Sequence, residues 1–243
     1  MIVLAVGMPR AGSGWHYNLT HDLMLTAGAT DAREIRRRFR LGRFLTEVNC
    51  NIGILSPARV GAVLIPSLLG NTFTIKLHAG PTPFAQTLIR RGQLRPTYIY
   101  RDPRDALLSA YEYGQRARAA GRDNAFSHLD TLEKAITFIA EYVRYWEMWT
   151  AIPNVHTVSY ENLKTDYPAE ATRLAQFLGL DTASAPVRAV IEKYQPEQAQ
   201  QGDRGLHFVK GVSGRFRKAL SPEQQQICIN TFGETLTKMG YAL

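Results

Sequence analysis

Short apolar runs alternate with longer amphipathic stretches along this chain, and this alternation limits the possible fold more than any other feature. Residues 2–6 form a continuous apolar run that ends at Gly7, which is typical of a parallel strand buried on both faces. Similar runs cover residues 73–77, 97–100 and 155–158. The sequence therefore predicts four strands of one parallel sheet.

Helices are predicted between these runs. The clearest spans 102–118, where Asp102 is a candidate N-cap and Pro103 occupies the first helical position. Further helices are predicted at residues 57–69, 129–149, 169–178 and 221–239. Strands that alternate with helices indicate an α/β fold with a central parallel sheet flanked by helices. A length of 243 residues suits a single domain covering 1–243.

Charge and cysteine content narrow the function classes. Lys and Arg number 29 against 21 Asp and Glu, a net charge of +8 that indicates an anionic partner. Cys50 and Cys228 are too few for a disulfide framework, and no C-x-x-C or Cys/His cluster predicts a metal site. No apolar run is long enough for a transmembrane segment and no signal peptide is recognisable, so a cytoplasmic location is expected.

Ligands of an open parallel sheet bind beyond the carboxyl ends of its strands. The residues that follow each strand are therefore the first candidates for a binding site. The first such segment, 7–15, is a glycine-rich strand-to-helix turn whose backbone N–H groups can hold an anion. Gly7 and Gly12 match the spacing of the nucleotide loop G-x-x-x-x-G-K-[ST], but Ser13 and Gly14 follow in place of Lys and Ser/Thr. Arg10 is the cation available inside the turn.

Residues 9–15, P-R-A-G-S-G-W, resemble the P-K-S-G-T-T-W loop of the sulfotransferases, which use 3′-phosphoadenosine-5′-phosphosulfate (PAPS) as sulfuryl donor. The resemblance implies that the loop holds the 5′-phosphosulfate through Arg10, Ala11, Gly12, Ser13, Gly14 and Trp15. Trp15 has two interpretations: an anchor in the core, or a platform on which adenine stacks.

Three further segments resemble the same family. Residues 100–111 are similar to the R-[ND]-P-[KR]-D-x-x-x-S-x-Y element, which implies that Arg101 and Ser109 bind the 3′-phosphate. Residues 160–163, Y-E-N-L, resemble Y-E-D-L, which implies that Tyr160 approaches the adenine. Residues 75–81 are similar to the strand end K-T-H-x-P, where the histidine is the catalytic base. Lys76 and His78 are two residues apart, so their side chains point to the same side.

A last segment, 209–217, resembles the R-K-G-x-x-G-D-W-K loop that closes over the nucleotide. The resemblance implies nucleotide binding by Lys210 and Gly211. Val209 replaces the phosphate-binding arginine of the family, and Arg215 and Phe216 replace its aspartate and tryptophan. The missing positive charge could come from Arg204, Arg215 or Arg217.

Together these segments, ordered along residues 3–217, imply a sulfotransferase domain with a P-loop-NTPase-like fold. Such an enzyme would move a sulfuryl group from PAPS to a hydroxyl or amine and release adenosine 3′,5′-bisphosphate (PAP). His78 would act as general base, and Arg10 and Lys76 would stabilise the transition state. No metal is expected, and the acceptor would be a small molecule or a glycan. Its pocket is expected among residues 41–56, 79–86 and 112–128.

Two other functions remain open. A P-loop phosphotransferase would need an acidic magnesium ligand, for which Asp102 and Glu161 are the candidates. A non-catalytic polyanion-binding module would explain the net charge. Basic residues at helical spacing form either a solvated face or a site for an anionic acceptor, a membrane surface or an acidic protein; they are Arg33, Arg36, Arg37 and Arg40. Few aromatic residues lie among them, so nucleic-acid binding is not favoured.

Overall fold

Four parallel strands form the centre of the structure, a computed structural model that describes residues 1–196 and 212–243. The strands are β1 (Ile2–Gly7), β2 (Phe73–Leu77), β3 (Leu94–Tyr100) and β4 (His156–Ser159), in the spatial order β2-β1-β3-β4. The register pairs Val6 with Leu77, Gly7 with Ile99, and Tyr100 with Ser159. The carboxyl ends of all four strands therefore meet at one edge of the sheet.

Helices cover both faces of this sheet. They are α1 (Ser13–Thr26), α2 (Ala32–Arg38), α3 (Pro57–Leu68), α4 (Pro83–Arg90), α5 (Pro103–Ala119), α6 (Leu132–Thr150), α7 (Tyr160–Thr165), α8 (Tyr167–Phe177), α9 (Ala185–Lys193), α10 (Phe216–Ala219) and α11 (Pro222–Lys238), with a 3₁₀ turn at Leu41–Arg43. None of the helices in the described ranges is long and apolar enough to cross a membrane.

Alternate residues of β1 enter two separate hydrophobic clusters, as expected of a strand buried on both faces. Ile2, Leu4 and Val6 contribute to the cluster under α3, α5 and α6, whereas Val3 contributes to the cluster under α1 and α8. The predicted α/β fold with helices on both faces is confirmed.

Local signals place several helix boundaries. Asp102 caps α5 by accepting a hydrogen bond from the Arg104 N–H, and Pro103 follows at the first helical position, both as predicted. Thr131 caps α6 in the same way, so this helix begins at Leu132 rather than at the predicted residue 129.

Two predicted boundaries differ more from the structure. Strand β3 begins at Leu94, three residues before the predicted start, and includes Pro96. Pro96 is tolerated because β4 pairs with β3 only from Thr97 onward. Helix α2 ends at Arg38, and Arg40 lies beyond it with a φ of 53°. The predicted four-arginine helical face is therefore wrong for Arg40.

Candidate active site

The loop between β1 and α1 is a tight turn with two left-handed residues. The Ala11 N–H donates to the Met8 carbonyl at 3.3 Å, and φ is 66° at Arg10 and 76° at Gly12. A Cβ on Gly12 would lie 2.8 Å from Cδ2 of Tyr160, so both the backbone conformation and the space require glycine there. The left-handed backbone conformation of Arg10 is strained for a residue with a side chain, and such strained residues are typical of functional loops.

Helix α1 begins at this loop without a side-chain cap and without an acidic residue in its first turn. The N–H groups of Ser13 and Gly14 have no acceptor among the described residues. Such donors, together with the positive end of the helix dipole, form a site for an anion. The structure thus gives this loop the donor arrangement that its glycine-rich sequence predicts.

Arg10 projects from the loop toward α5. Its Nε donates to the Ser109 Oγ at 3.2 Å, and its guanidinium carbon lies 4.5 Å from the centroid of the Tyr113 ring. Burial lowers the pKa of Arg10, Tyr113 raises it, and the positive charges of Arg116 and Arg101 lower it further. Arg10 is therefore part of a cluster of cations at the edge of the sheet.

Arg101 joins this cluster from the end of β3. It is 8% exposed, and its two terminal nitrogens donate to the Arg10 carbonyl at 3.4 Å and to the Val212 carbonyl at 2.8 Å. Its Nε has no hydrogen-bond acceptor within the described part of the chain. Arg101 and Ser109 therefore both contact Arg10. On α5, Ala106 and Ala110 are fully buried.

Lys76 lies on β2 with its ammonium group almost wholly inside the protein, at 7% exposure. Within the described ranges no carboxylate pairs with it at 4.0 Å or less. Burial, and then the charge of Arg10, lower the pKa of Lys76 to about 8. Burying a cation without a counter-ion is costly, so this lysine is poised for an anionic ligand.

His78 follows β2 and is oriented by the end of β1. Its Nδ1 lies 2.6 Å from the Gly7 carbonyl, which can only accept, so Nδ1 carries the proton and Nε2 is left as acceptor. Burial, and then the charge of Lys76, lower the pKa of His78 to about 4, although the hydrogen bond to Gly7 acts in the opposite direction. The imidazole is therefore neutral at pH 7 and able to accept a proton.

Two aromatic residues predicted at the nucleotide lie behind the loop. The Trp15 indole is 2% exposed, stacks on Tyr167 at 5.5 Å and donates through Nε1 to the Tyr194 carbonyl at 2.9 Å. This burial favours the core-anchor interpretation of Trp15 over adenine stacking. Tyr160 is 4% exposed, and its ring lies 4.6 Å from the guanidinium carbon of Arg101. Tyr160 therefore supports both the loop and Arg101.

The C-terminal loop is described only from Val212 onward, and Arg204, Val209, Lys210 and Gly211 lie outside the described residues. Of the candidates for the missing phosphate charge, Arg215 pairs with Glu112 at 2.5 Å. Arg217 lies 4.7 Å over the Phe216 ring.

A row of aromatic rings, which we call the aromatic wall, leads away from Arg10. Consecutive centroids lie 5.7, 5.8, 4.9 and 5.6 Å apart, in the order Tyr113, Phe126, Phe138, Tyr142 and Tyr145. The far end approaches Gly80, where an added Cβ would lie 2.7 Å from the Tyr145 ring. All five side chains are half-buried. The sequence prediction missed the three on α6, although their spacing of i, i+4 and i+7 is a readable signal.

The arginines of segment 33–43, which we call the arginine cluster, have two roles. Arg33 donates to the Val48 carbonyl at 2.9 Å, Arg36 to the Leu45 carbonyl at 2.8 Å, and Arg59 to the Ile52 carbonyl at 2.6 Å. These three side chains fix a segment that pairs with the Lys76 backbone through the Ile52 N–H. The remaining members are exposed: Arg37, Arg38, Arg40 and Arg43.

The two candidate magnesium ligands are already engaged. Asp102 binds the Arg104 side chain at 3.0 and 2.8 Å, and Glu161 accepts from the Tyr241 hydroxyl at 2.7 Å. Within the described ranges no group of His, Cys, Asp and Glu side chains is arranged to hold a metal ion. The positions of Asp102 and Glu161 thus give no support to a P-loop phosphotransferase.

Backbone donors at a helix N-terminus, cations from three strand ends and a neutral histidine thus lie together at one edge of the sheet. Residues 2–240 match the family model of the sulfotransferase domain, and the chain belongs to that family.

Two curated relatives match this chain. It is 25% identical over 238 residues to luciferin sulfotransferase of Photinus pyralis, with 91% of this chain and 62% of that protein covered. It is 24% identical over 139 residues to sulfotransferase 6B1 of Danio rerio, with 53% of this chain and 47% of that protein covered. The chain thus spans less than two thirds of the length of these relatives.

Solved structures share the fold. Mouse sulfotransferase SULT7A1 complexed with PAP matches with a TM-score of 0.62 and 17% identity, covering 97% of this chain and 84% of that one. Retinol dehydratase in complex with androsterone and PAP matches with a TM-score of 0.59 and 16% identity, covering 97% and 80%. The predicted sulfotransferase fold is confirmed.

Proposed function

We propose that this protein is a PAPS-dependent sulfotransferase that transfers a sulfuryl group to a hydroxyl or amine of a small-molecule acceptor. The observation that carries the proposal is that buried cations and a neutral histidine lie together at one edge of the sheet. Lys76 has no carboxylate partner among the described residues, and Arg101 has an orphaned Nε. The two PAP-bound relatives of the same fold support a nucleotide with phosphates at both positions.

The nucleotide would lie across the amino end of α1. The N–H groups of residues 12–15 would hold the 5′-phosphate, since α1 begins there with no competing cap. Arg101 and Ser109 would bind the 3′-phosphate, Tyr160 would approach the adenine, and Lys210 and Gly211 would contribute as the family resemblance implies. Trp15 would act through its backbone, because its indole is buried.

The reaction would proceed by in-line transfer. Nε2 of His78 takes the proton of the acceptor hydroxyl or amine as its oxygen or nitrogen attacks sulfur. The bond between sulfur and the 5′-phosphate oxygen breaks, and PAP leaves with the added negative charge. Arg10 and Lys76 offset that charge from fixed positions, so little reorganisation is needed in the transition state. No metal ion takes part in the proposed step.

The aromatic wall would receive the acceptor. It begins at Tyr113, beneath Arg10, and ends at Tyr145. The Tyr145 ring lies beside Gly80, which is two residues after the proposed base, His78. Half-buried rings offer apolar area and stacking faces at little entropic cost. This lining favours a small molecule with an apolar body over a nucleic acid.

Transfer of label from PAPS carrying radioactive sulfur tests the proposal. With a panel of phenols, alcohols and amines, the label should appear in the acceptor with release of equimolar PAP, at a rate unchanged by EDTA. Transfer of the terminal phosphate of ATP under matched conditions with magnesium, with no transfer from PAPS, would overturn the proposal.

The two shifted pKa values predict the pH profile of this reaction. The kcat/KM value should fall below about pH 4, where His78 gains a proton, and above about pH 8, where Lys76 loses its charge. An alcohol acceptor does not titrate in this range, and kcat/KM is taken for the acceptor at saturating PAPS because the 3′-phosphate of PAPS titrates at about pH 6. An acidic limb centred on 6.5, the ordinary histidine value, would contradict the lowered pKa of His78.

A further inference from the structure

The carboxylate of Asp105 occupies the centre of a closed ring of contacts at Arg101. Oδ2 of Asp105 lies 3.6 Å from Nη2 of Arg101 and accepts from the Gly214 N–H at 2.5 Å. The same Nη2 donates to the Val212 carbonyl at 2.8 Å. Arg101, Asp105 and the segment from Val212 to Gly214 therefore hold one another in place.

A second contact extends this ring. Oδ1 of Asp105 accepts from the Phe216 N–H at 3.1 Å, so the carboxylate binds two amides of the C-terminal loop. The Asp105 side chain is 1% exposed. A buried carboxylate whose two oxygens both accept charge-assisted hydrogen bonds is held in a single orientation. The groups that donate to it are held in place as well.

The location of Asp105 ties this ring to the nucleotide site. Asp105 and Ser109 are one turn apart on the same face of α5, and Ser109 contacts Arg10. Arg101 is the proposed ligand of the 3′-phosphate. Asp105 is itself an anion and would repel a phosphate, so its contact with Arg101 gives it the geometry of a positioning group.

We propose that Asp105 is a positioning residue that confers selectivity for the 3′-phosphate by holding Arg101 and residues 212–216 in register. This inference rests on the proposed function, in which Arg101 binds that phosphate. Simple electrostatics predicts the opposite sign, because removing a carboxylate 3.6 Å from Arg101 would strengthen its attraction for an anion. The two accounts are therefore separable by experiment.

Asp105→Asn tests the proposal through the affinities for PAP and for AMP, which lacks the 3′-phosphate. We expect the wild type to prefer PAP. In the variant, PAP affinity should fall about 10-fold or more while AMP affinity stays unchanged, the size expected for loss of a charge-assisted bond. The KM for PAPS should rise with the KM for acceptor unchanged. A general structural defect would weaken both nucleotides equally and would refute the proposal, as would tighter PAP binding.

Glu170→Gln is the matched control, because Glu170 is a similarly buried carboxylate that pairs with Arg173 at 2.5 Å on α8. It should leave the preference for PAP over AMP intact. If Asp105→Asn does not fold, Asp105→Glu keeps the charge but displaces it, and the same loss of preference is expected. An unchanged preference in a folded Asp105 variant would overturn the inference, whereas no preference in the wild type would overturn the proposed function instead.

Discussion

Replacing His78 with alanine should lower kcat by roughly 10²- to 10⁴-fold, the range expected for loss of a general base. PAP affinity should be retained, because Nδ1 of His78 is committed to the Gly7 carbonyl and the proposed role of Nε2 is to take the acceptor proton, not to bind the nucleotide. Steady-state turnover of PAPS and isothermal titration with PAP measure the two effects separately.

Imidazole added to the buffer provides the control for the His78→Ala variant. It should restore part of the lost turnover in proportion to its neutral form, since the variant leaves a space where a free base can bind. Loss of PAP binding together with turnover would indicate that His78 is structural. Near-normal turnover would place the base at another residue.

Replacing Arg10 with alanine should lower kcat by roughly 10²- to 10³-fold, as seen when one preorganised donor to a developing anion is removed. Arg10→Lys should retain part of this activity, because an ammonium supplies the charge but cannot bind two oxygens at once. The same PAPS assay ranks wild type, Arg10→Lys and Arg10→Ala in that order.

Arg116→Ala is the matched control for Arg10, because Arg116 lies 5.9 Å from the same Tyr113 ring. Its side chain is 46% exposed and pairs only loosely with Glu112, at 3.8 Å, so turnover should be nearly unchanged. Equal losses in both variants would mean that the aromatic wall needs any nearby cation and that Arg10 has no special role. Near-normal turnover in Arg10→Ala would remove Arg10 from the mechanism.

Strand positions could be predicted because buried parallel strands are short, apolar and bounded by polar residues. The start of β3 could not, since Pro96 normally ends a strand and is accepted here only because β4 begins pairing at Thr97. Arg40 had the correct helical spacing, but α2 ends before it. Residues at helical spacing share one face of a helix only where the backbone remains helical. The local sequence does not determine where this helix ends.

The site was predictable as a set of strand ends but not as a network of contacts. Parallel strands bring Arg10, Lys76, His78 and Arg101 to one edge whatever their side-chain rotamers. The contact of Arg10 with Ser109, and the ring around Asp105, depend on which way each side chain turns. The sequence carried two signals for Asp105: it falls on the aspartate of the R-[ND]-P-[KR]-D element, and it lies in the first turn of α5, where an acidic residue ordinarily serves the helix dipole.

The net charge of +8 is partly explained by these contacts. Arg33, Arg36 and Arg59 hold backbone carbonyls of the segment that pairs with the Lys76 backbone, so they serve the fold. Arg10, Lys76 and Arg101 lie at the carboxyl edge of the sheet and would bind the proposed nucleotide. The basic surplus therefore does not require a nucleic-acid partner.

Thermal stability in the presence of competing ligands tests the central claim, a site built for a nucleotide with 3′- and 5′-phosphates. At a concentration about 100-fold above its Kd, PAP without metal should raise Tm by roughly 5–10 °C. ATP with magnesium and a single-stranded oligonucleotide should each give a much smaller shift. A larger shift with ATP and magnesium, or with the oligonucleotide, would contradict the assignment of this protein as a PAPS-dependent sulfotransferase.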